Sequence, residues 1–207
     1  MTKLYHGTSA KNLRHILKQG LLPRGRRSGN WQHSVDSHPG AVYLTNAYSV
    51  YFAMGATPGR HAGLIVEVDT AKLNPFRMLP DEDFLGQAYY GKDKKLIERT
   101  ASYRNELESY RVFYPASLRH LGNCCHIGAI ARDAITRYAI VPNVNQWIAW
   151  VDPVINLQNF KIMGDFYKEL SARIFGDTTG FVADDPKSRF FRFPPDKLFA
   201  GVEVVTL

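Results

Sequence analysis

Residues 3–24, KLYHGTSAKNLRHILKQGLLPR, constrain the fold more than any other stretch of this chain. Leu4, Tyr5 and His6 alternate at strand spacing, whereas Leu13, Ile16 and Leu17 recur at i, i+3 and i+4, the spacing that lays one helix face on a core. The period changes across His6-Gly7-Thr8-Ser9, so a strand must run through a polar corner directly into a helix. Ser9 is expected to cap that helix and Gly20 to lie just past its end. Such a corner offers backbone N–H groups and hydroxyls that suit a ribose or a phosphate. The same residues also serve as a plain capped turn with an incidental histidine.

The rest of the chain sets bounds. With 207 residues, 45% of them apolar, one sizeable core is expected and a single domain with it. No apolar run is long enough to span a bilayer and the N-terminus lacks a signal-peptide pattern, so a cytoplasmic protein with no membrane association is expected. Cys124 and Cys125 are adjacent and poorly placed for an unstrained disulfide, which points to free thiols in a reducing compartment. The net charge of +7 favours an acidic partner such as nucleic acid or a polyphosphate. Basic residues gather at Arg14, Lys18, Arg24, Arg26 and Arg27, and again at Lys187, Arg189, Arg192 and Lys197 among Phe190, Phe191 and Phe193. Aromatics between cations can stack on a single strand, or can anchor a C-terminal segment whose charges face water.

In order, residues 26–40 read as a loop and AVYLT at 41–45 as a strand. Asn46 is placed to cap a helix carrying Tyr48, Tyr51, Phe52 and Gly55 on one face, and GLIVEVD at 63–69 is a clear strand. Residues 73–91, with the acidic cluster Asp81, Glu82 and Asp83, read as a connecting loop, and 94–114 as the longest helix. Strands are expected at 124–131 and 134–141, a helix at 156–175, a loop at 177–195 and a terminal strand at 201–207. Short strands among a few helices make an α+β domain around a bent, mostly antiparallel sheet. Its core is expected over about residues 3–150, with a helix, loop and final strand in 151–207.

LYHGTS, NLRHILKQGLLP, GAVYLTNAYSVYFA and GLIVEVD, in that order, resemble the PARP-like branch of the ADP-ribosyltransferase superfamily. The resemblance is good over about residues 3–69 and implies a single ADP-ribosyltransferase-like domain, a split sheet with flanking helices, and NAD as a substrate with no metal. It gives His6 a bond to a ribose hydroxyl of NAD, Gly7 backbone contacts to the nicotinamide carboxamide, and Tyr43 a stacking role on the nicotinamide ring. Thr8 and Ser9 complete the corner, Tyr51 or Phe52 forms the opposite wall, and Arg26, Arg24 or Arg27 holds the diphosphate.

The chain departs from the branch where an acidic residue normally opens a later strand. That strand should be CCHIGAI, and Asn123, Cys124, Cys125 and His126 at its start include no carboxylate. Glu106 and Glu108 are the substitutes preferred here, although either can instead pair on the surface with Arg104 or Arg111. Glu67 and Glu203 rank lower, and His126 is a polar substitute at the strand itself. His120, Cys124, Cys125 and His126 match no standard zinc spacing. The expected function is NAD-dependent transfer of ADP-ribose to single-stranded RNA or DNA, in the manner of DarT-type toxins and phage-defence effectors, with an antitoxin as a further partner. A KptA-like RNA 2′-phosphotransferase and a catalytically silent module binding NAD, ADP-ribose or RNA are the alternatives.

Overall fold

Val, Ile and Leu fill consecutive positions of GLIVEVD, so that strand has no face to give to water and must lie inside a covered sheet. The computed structural model describes residues 3–25, 37–82, 84, 107–144, 167–168, 170–176 and 199–207. In chain order these form β1 (Lys3–Ser9), α1 (Leu13–Gln19), β2 (Ala41–Thr45), α2 (Ser49–Ala56), β3 (Gly63–Asp69) and β4 (Met78–Pro80). They continue with α3 (Tyr114–His120), β5 (Asn123–Ile127), β6 (Ile135–Val141) and β7 (Glu203–Thr206). The seven strands make one sheet in the order β4-β5-β2-β1-β3-β6-β7, with every neighbouring pair antiparallel. This is a mixed α+β arrangement of an antiparallel sheet flanked by helices.

Alternation along β3 sends Leu64, Val66 and Val68 to one cluster with Leu4, Val42, Leu44, Ile16 of α1 and Ile135. Ile65 goes to the other face with Tyr5, Ala139, Val141, Val50 and Ala53 of α2, and Tyr167, Leu170 and Phe175. A third cluster, of Ala41, Leu79, Phe84 and Cys125, lies over the β2-β5-β4 side.

The ladders are uneven. β1 and β3 pair from Lys3 opposite Asp69 to Ser9 opposite Gly63. Between β1 and β2 a single register pair, Tyr5 opposite Thr45, holds the sheet together. That line is where the expected split falls.

Several expectations change. Ser9 caps no α-helix: a 3-10 turn at Ala10–Asn12 intervenes and α1 starts at Leu13. Gly20 does end α1, at a φ of 79° that favours glycine. The start of α2 is held by the Thr45 hydroxyl, which accepts from the Ala47 and Tyr48 N–H groups, rather than by Asn46, whose amide donates to Leu118 O. Residues 73–91 are not simply a loop, because Met78 and Leu79 are apolar enough to form β4 on the sheet edge, with Pro80, which has no N–H to donate, at its end. The described end of the expected 94–114 helix is a 3-10 turn at Leu107–Phe113, and Pro115 opens α3 as a separate helix, since its ring nitrogen cannot continue the incoming one. β5 stops at Ile127, and Ile130 returns to bridge Leu21. Residues 26–36, 94–106 and 177–195 and most of the expected 156–175 helix lie outside the described residues, although 167–168 and 170–174 are helical. No helix among the described residues is long and apolar enough to cross a membrane.

Candidate functional site

Past the Tyr5–Thr45 pair, β1 and β2 run on opposite one another without further register, so the corner from His6 to Ser9 faces the stretch from Leu44 back to Ala41. His6 spans the gap with its side chain: Nδ1 lies 2.8 Å from Tyr43 O. A carbonyl can only accept, so Nδ1 carries the proton and Nε2 keeps a lone pair. Burial lowers the His6 pKa below 6.5, and the bond to the Tyr43 carbonyl offsets this only in part. The imidazole is therefore neutral at pH 7 and can accept a hydrogen bond.

The corner is packed from behind by α2. A Cβ at Gly7 would fall 2.0 Å from Ser49 O and 2.6 Å from Ala53 N, so only glycine lets the helix backbone come this close. The Ser49 and Ser171 hydroxyls, 2.6 Å apart, fasten α2 to the helical residues beyond it. Thr8 Oγ1 accepts from the Asn12 amide at 2.9 Å, while the buried Ser9 Oγ has no hydrogen-bond partner among the described residues.

On the other bank, Tyr43 is held at its hydroxyl. It donates to Glu82 Oε1 and accepts from the His38 N–H at 2.6 Å, and the same N–H reaches Glu82 Oε1 at 2.9 Å. The Gly40 N–H donates to His38 Nδ1, which closes the turn ahead of β2. Glu82 is 3% exposed and follows directly on β4. Burial, and then the charge of Glu82, push the Tyr43 phenol well above its ordinary pKa of 10, so it stays protonated. Cys125 stands opposite Tyr43 on β5, and burial raises both its thiol and that of Cys124, leaving neither as a thiolate at neutral pH.

The sequence reading did not single out Glu82, because it placed the acidic cluster in a connecting loop. The available signal was the apolar Met78-Leu79-Pro80 run immediately before it, which marks a short strand delivering an acid inward.

His6, Gly7, Thr8, Ser9 and Tyr43 thus lie along the line where β1 and β2 part. Tyr51 is placed instead in an aromatic cluster, with ring centroids 6.4, 6.0 and 5.8 Å from those of Tyr48, Phe52 and Tyr167. Arg24 binds Ser37 through Nε and Nη2. Arg26 and Glu106 lie outside the described residues; Glu108 is placed only in its backbone, within the turn Leu107–Phe113. Asn123 opens β5 opposite Thr45, and its Oδ1 is buried with no partner among the described residues. His126 is buried opposite Val42 and Met78, with its pKa lowered by burial. Glu203 is exposed on β7.

Glu67 has a different office. Arg137 Nε lies 3.1 Å from both of its oxygens, Arg137 Nη2 pairs with Oε2, Thr136 donates at 2.6 Å and Lys3 Nζ approaches to 3.4 Å. Burial would raise its pKa, but the bonds from Arg137 and Thr136 and the nearby cations win and hold it below 4.5. Arg137 also donates to Phe175 O and lies over the Phe175 ring, so this network ties β1, β3 and β6 to the turn that follows the helical residues covering them.

No family model and no curated protein matches the chain. Among solved structures it is similar to EcPltA, with 12% identity and a TM-score of 0.38 over 67% of this chain and 75% of that one.

Proposed function

We propose that this protein is an NAD-dependent ADP-ribosyltransferase whose acceptor is nucleic acid. One observation carries the reading. The His6 imidazole, which the sequence resemblance assigns to NAD, bonds the main-chain carbonyl of Tyr43 where neighbouring strands part, and the Tyr43 hydroxyl is locked by a buried carboxylate.

The residues suit the substrate. A neutral imidazole accepts a hydrogen bond from a ribose hydroxyl, and Tyr43, partly exposed, offers a ring to a flat base. Bound NAD supplies a glycosidic carbon that loses neutral nicotinamide and gains the acceptor atom, with one proton released. Positive charge grows on the ribose as that bond breaks, and a fixed negative group nearby favours it. Glu82 takes this part as a positioning residue: it orients the Tyr43 hydroxyl and keeps a carboxylate beside the opening. The net charge of +7 supports nucleic acid over an acidic protein as acceptor class, because phosphates repeat along every strand.

The test incubates the protein with NAD and separate RNA, single-stranded DNA and protein pools, measuring nicotinamide release and the mass gained by each pool. Release with RNA or DNA is expected, and His6→Ala should lower it by about 100-fold or more. Absence of release in every pool, or wild-type release by His6→Ala, overturns the reading.

A further inference from the structure

A cavity of about 360 Å³ opens beside β4 and β5, lined by Phe76, Arg77, Leu79, Arg111, Ile127 and Gly128. It shares no residue with the opening between β1 and β2. Leu79 stands opposite Cys125 and Cys125 opposite Tyr43, so these side chains share one sheet face. Two strand spacings, about 10 Å, separate Leu79 from Tyr43.

The lining has an unusual charge balance. Among the described residues it contains two guanidinium groups and no acid. Among the described residues neither arginine side chain has a hydrogen-bond or ion-pair partner, and Arg111 Nε is buried with none. A buried donor on a charged group is costly to leave unmet, and two uncompensated cations beside one cavity repel each other. Room is also made for them: Gly128 has a φ of 80°, and a Cβ there would come 3.2 Å from Arg77 Nη1.

Phe76 adds the second half of the argument. Its ring is 72% exposed beside Arg77, and Val112, next to Arg111, is 78% exposed. An aromatic left in water at the rim of a doubly cationic cavity matches a ligand with an anion and a flat ring side by side. A metal ion is disfavoured by the charge, and a purely apolar ligand would leave both guanidiniums unmet.

The geometry points to a subsite for single-stranded nucleic acid, in which Arg77 and Arg111 hold one phosphodiester and Phe76 stacks on the adjoining base. The chain's excess of positive charge fits a polyanion better than a lone carboxylate ligand. This binding does not require the NAD reading to hold.

Fluorescence anisotropy with labelled single strands of RNA and DNA of about 12 nucleotides, across a salt series, tests it. The Arg77→Ala/Arg111→Ala double variant should weaken binding at least tenfold and lower the slope of log K against log salt by about 2. Phe76→Ala should weaken it several-fold with the slope unchanged. Arg77→Lys/Arg111→Lys, which keeps both charges, should keep the slope and lose part of the affinity. His6→Ala should bind like wild type, so a failure of ADP-ribosyl transfer and a failure of this subsite read out separately. Unchanged affinity and slope in the double alanine variant overturn the proposal. So does binding of inorganic phosphate or mononucleotide at the cavity with no affinity for either strand.

Discussion

Glu67 and Glu82 are both buried to within 3% exposure, and they are put to opposite uses. Glu67 sits in the half of the sheet with long ladders and is enclosed by Arg137, Thr136 and Lys3. Glu82 sits across the parting of the sheet, fixed by a phenol and a backbone amide. Cations around Glu67 convert that carboxylate into a structural tie, whereas Glu82 orients the Tyr43 hydroxyl where β1 and β2 part. The difference teaches that burial of an acid is not the mark of a functional one. What separates the two is whether the groups that satisfy the acid also lie on an opening.

The sharpest way to break this comparison is at Arg137. Arg137→Ala strands Glu67 in the interior and should cost about 3–5 kcal/mol in urea denaturation, because a buried charge loses its partner. Transfer per folded molecule should stay at the wild-type level, and a selective loss of turnover would place Glu67 in the reaction after all.

Glu82→Gln works on the other side. Stability should change by no more than about 1 kcal/mol, while transfer falls between about tenfold and 100-fold. A purely packing role would leave the ultraviolet titration of Tyr43 where it was. Removal of the Glu82 charge should instead shift the phenol's ionisation to lower pH.

The smallest effect is in the acid stability profile. Glu67 has a folded pKa below the ordinary 4.5, so the unfolded chain takes up its proton first as pH falls. Its contribution is complete above 4.5 and is lost as pH drops through the folded value. His6 is also lowered, from 6.5, so its contribution is complete above 6.5 and is lost as pH falls toward its folded pKa. Denaturation midpoints against pH should show two separable declines, the upper one reduced in His6→Gln, with buried His126 supplying the remainder, and the lower one missing in Glu67→Gln. A single decline common to both variants would contradict the assignment.

Much of the sheet was legible because its signals are local. The glycine past α1 and the runs AVYLT and GLIVEVD each fall within one short window and became the elements expected, whereas β1 runs on through His6 to Ser9 and a 3-10 turn precedes α1. Glu82 was not legible for the same reason in reverse. Its burial depends on Tyr43, 39 residues earlier, and three acids in a row otherwise read as a solvated turn. β4 is three residues long and ends in proline, too short for a periodicity to register. A regular aromatic stripe suggested a helix over 94–114, and its described end, Leu107–Phe113, is a 3-10 turn that stops where Pro115 opens α3.

Gly7 carries a further consequence. A Cβ at Gly7 would sit 2.0 Å from Ser49 O, so α2 lies directly against β1, and any retreat of the helix also drags the Ser49–Ser171 link. Widening of the gap for an incoming molecule then falls to the β2 bank, which is tied across the line by the Tyr5–Thr45 pair, the His6 imidazole and, beyond β5, the Leu21–Ile130 bridge. The glycine is accordingly required whether or not anything binds in front of it. An inactive Gly7 variant would report a dislodged helix before it reported a lost contact with substrate.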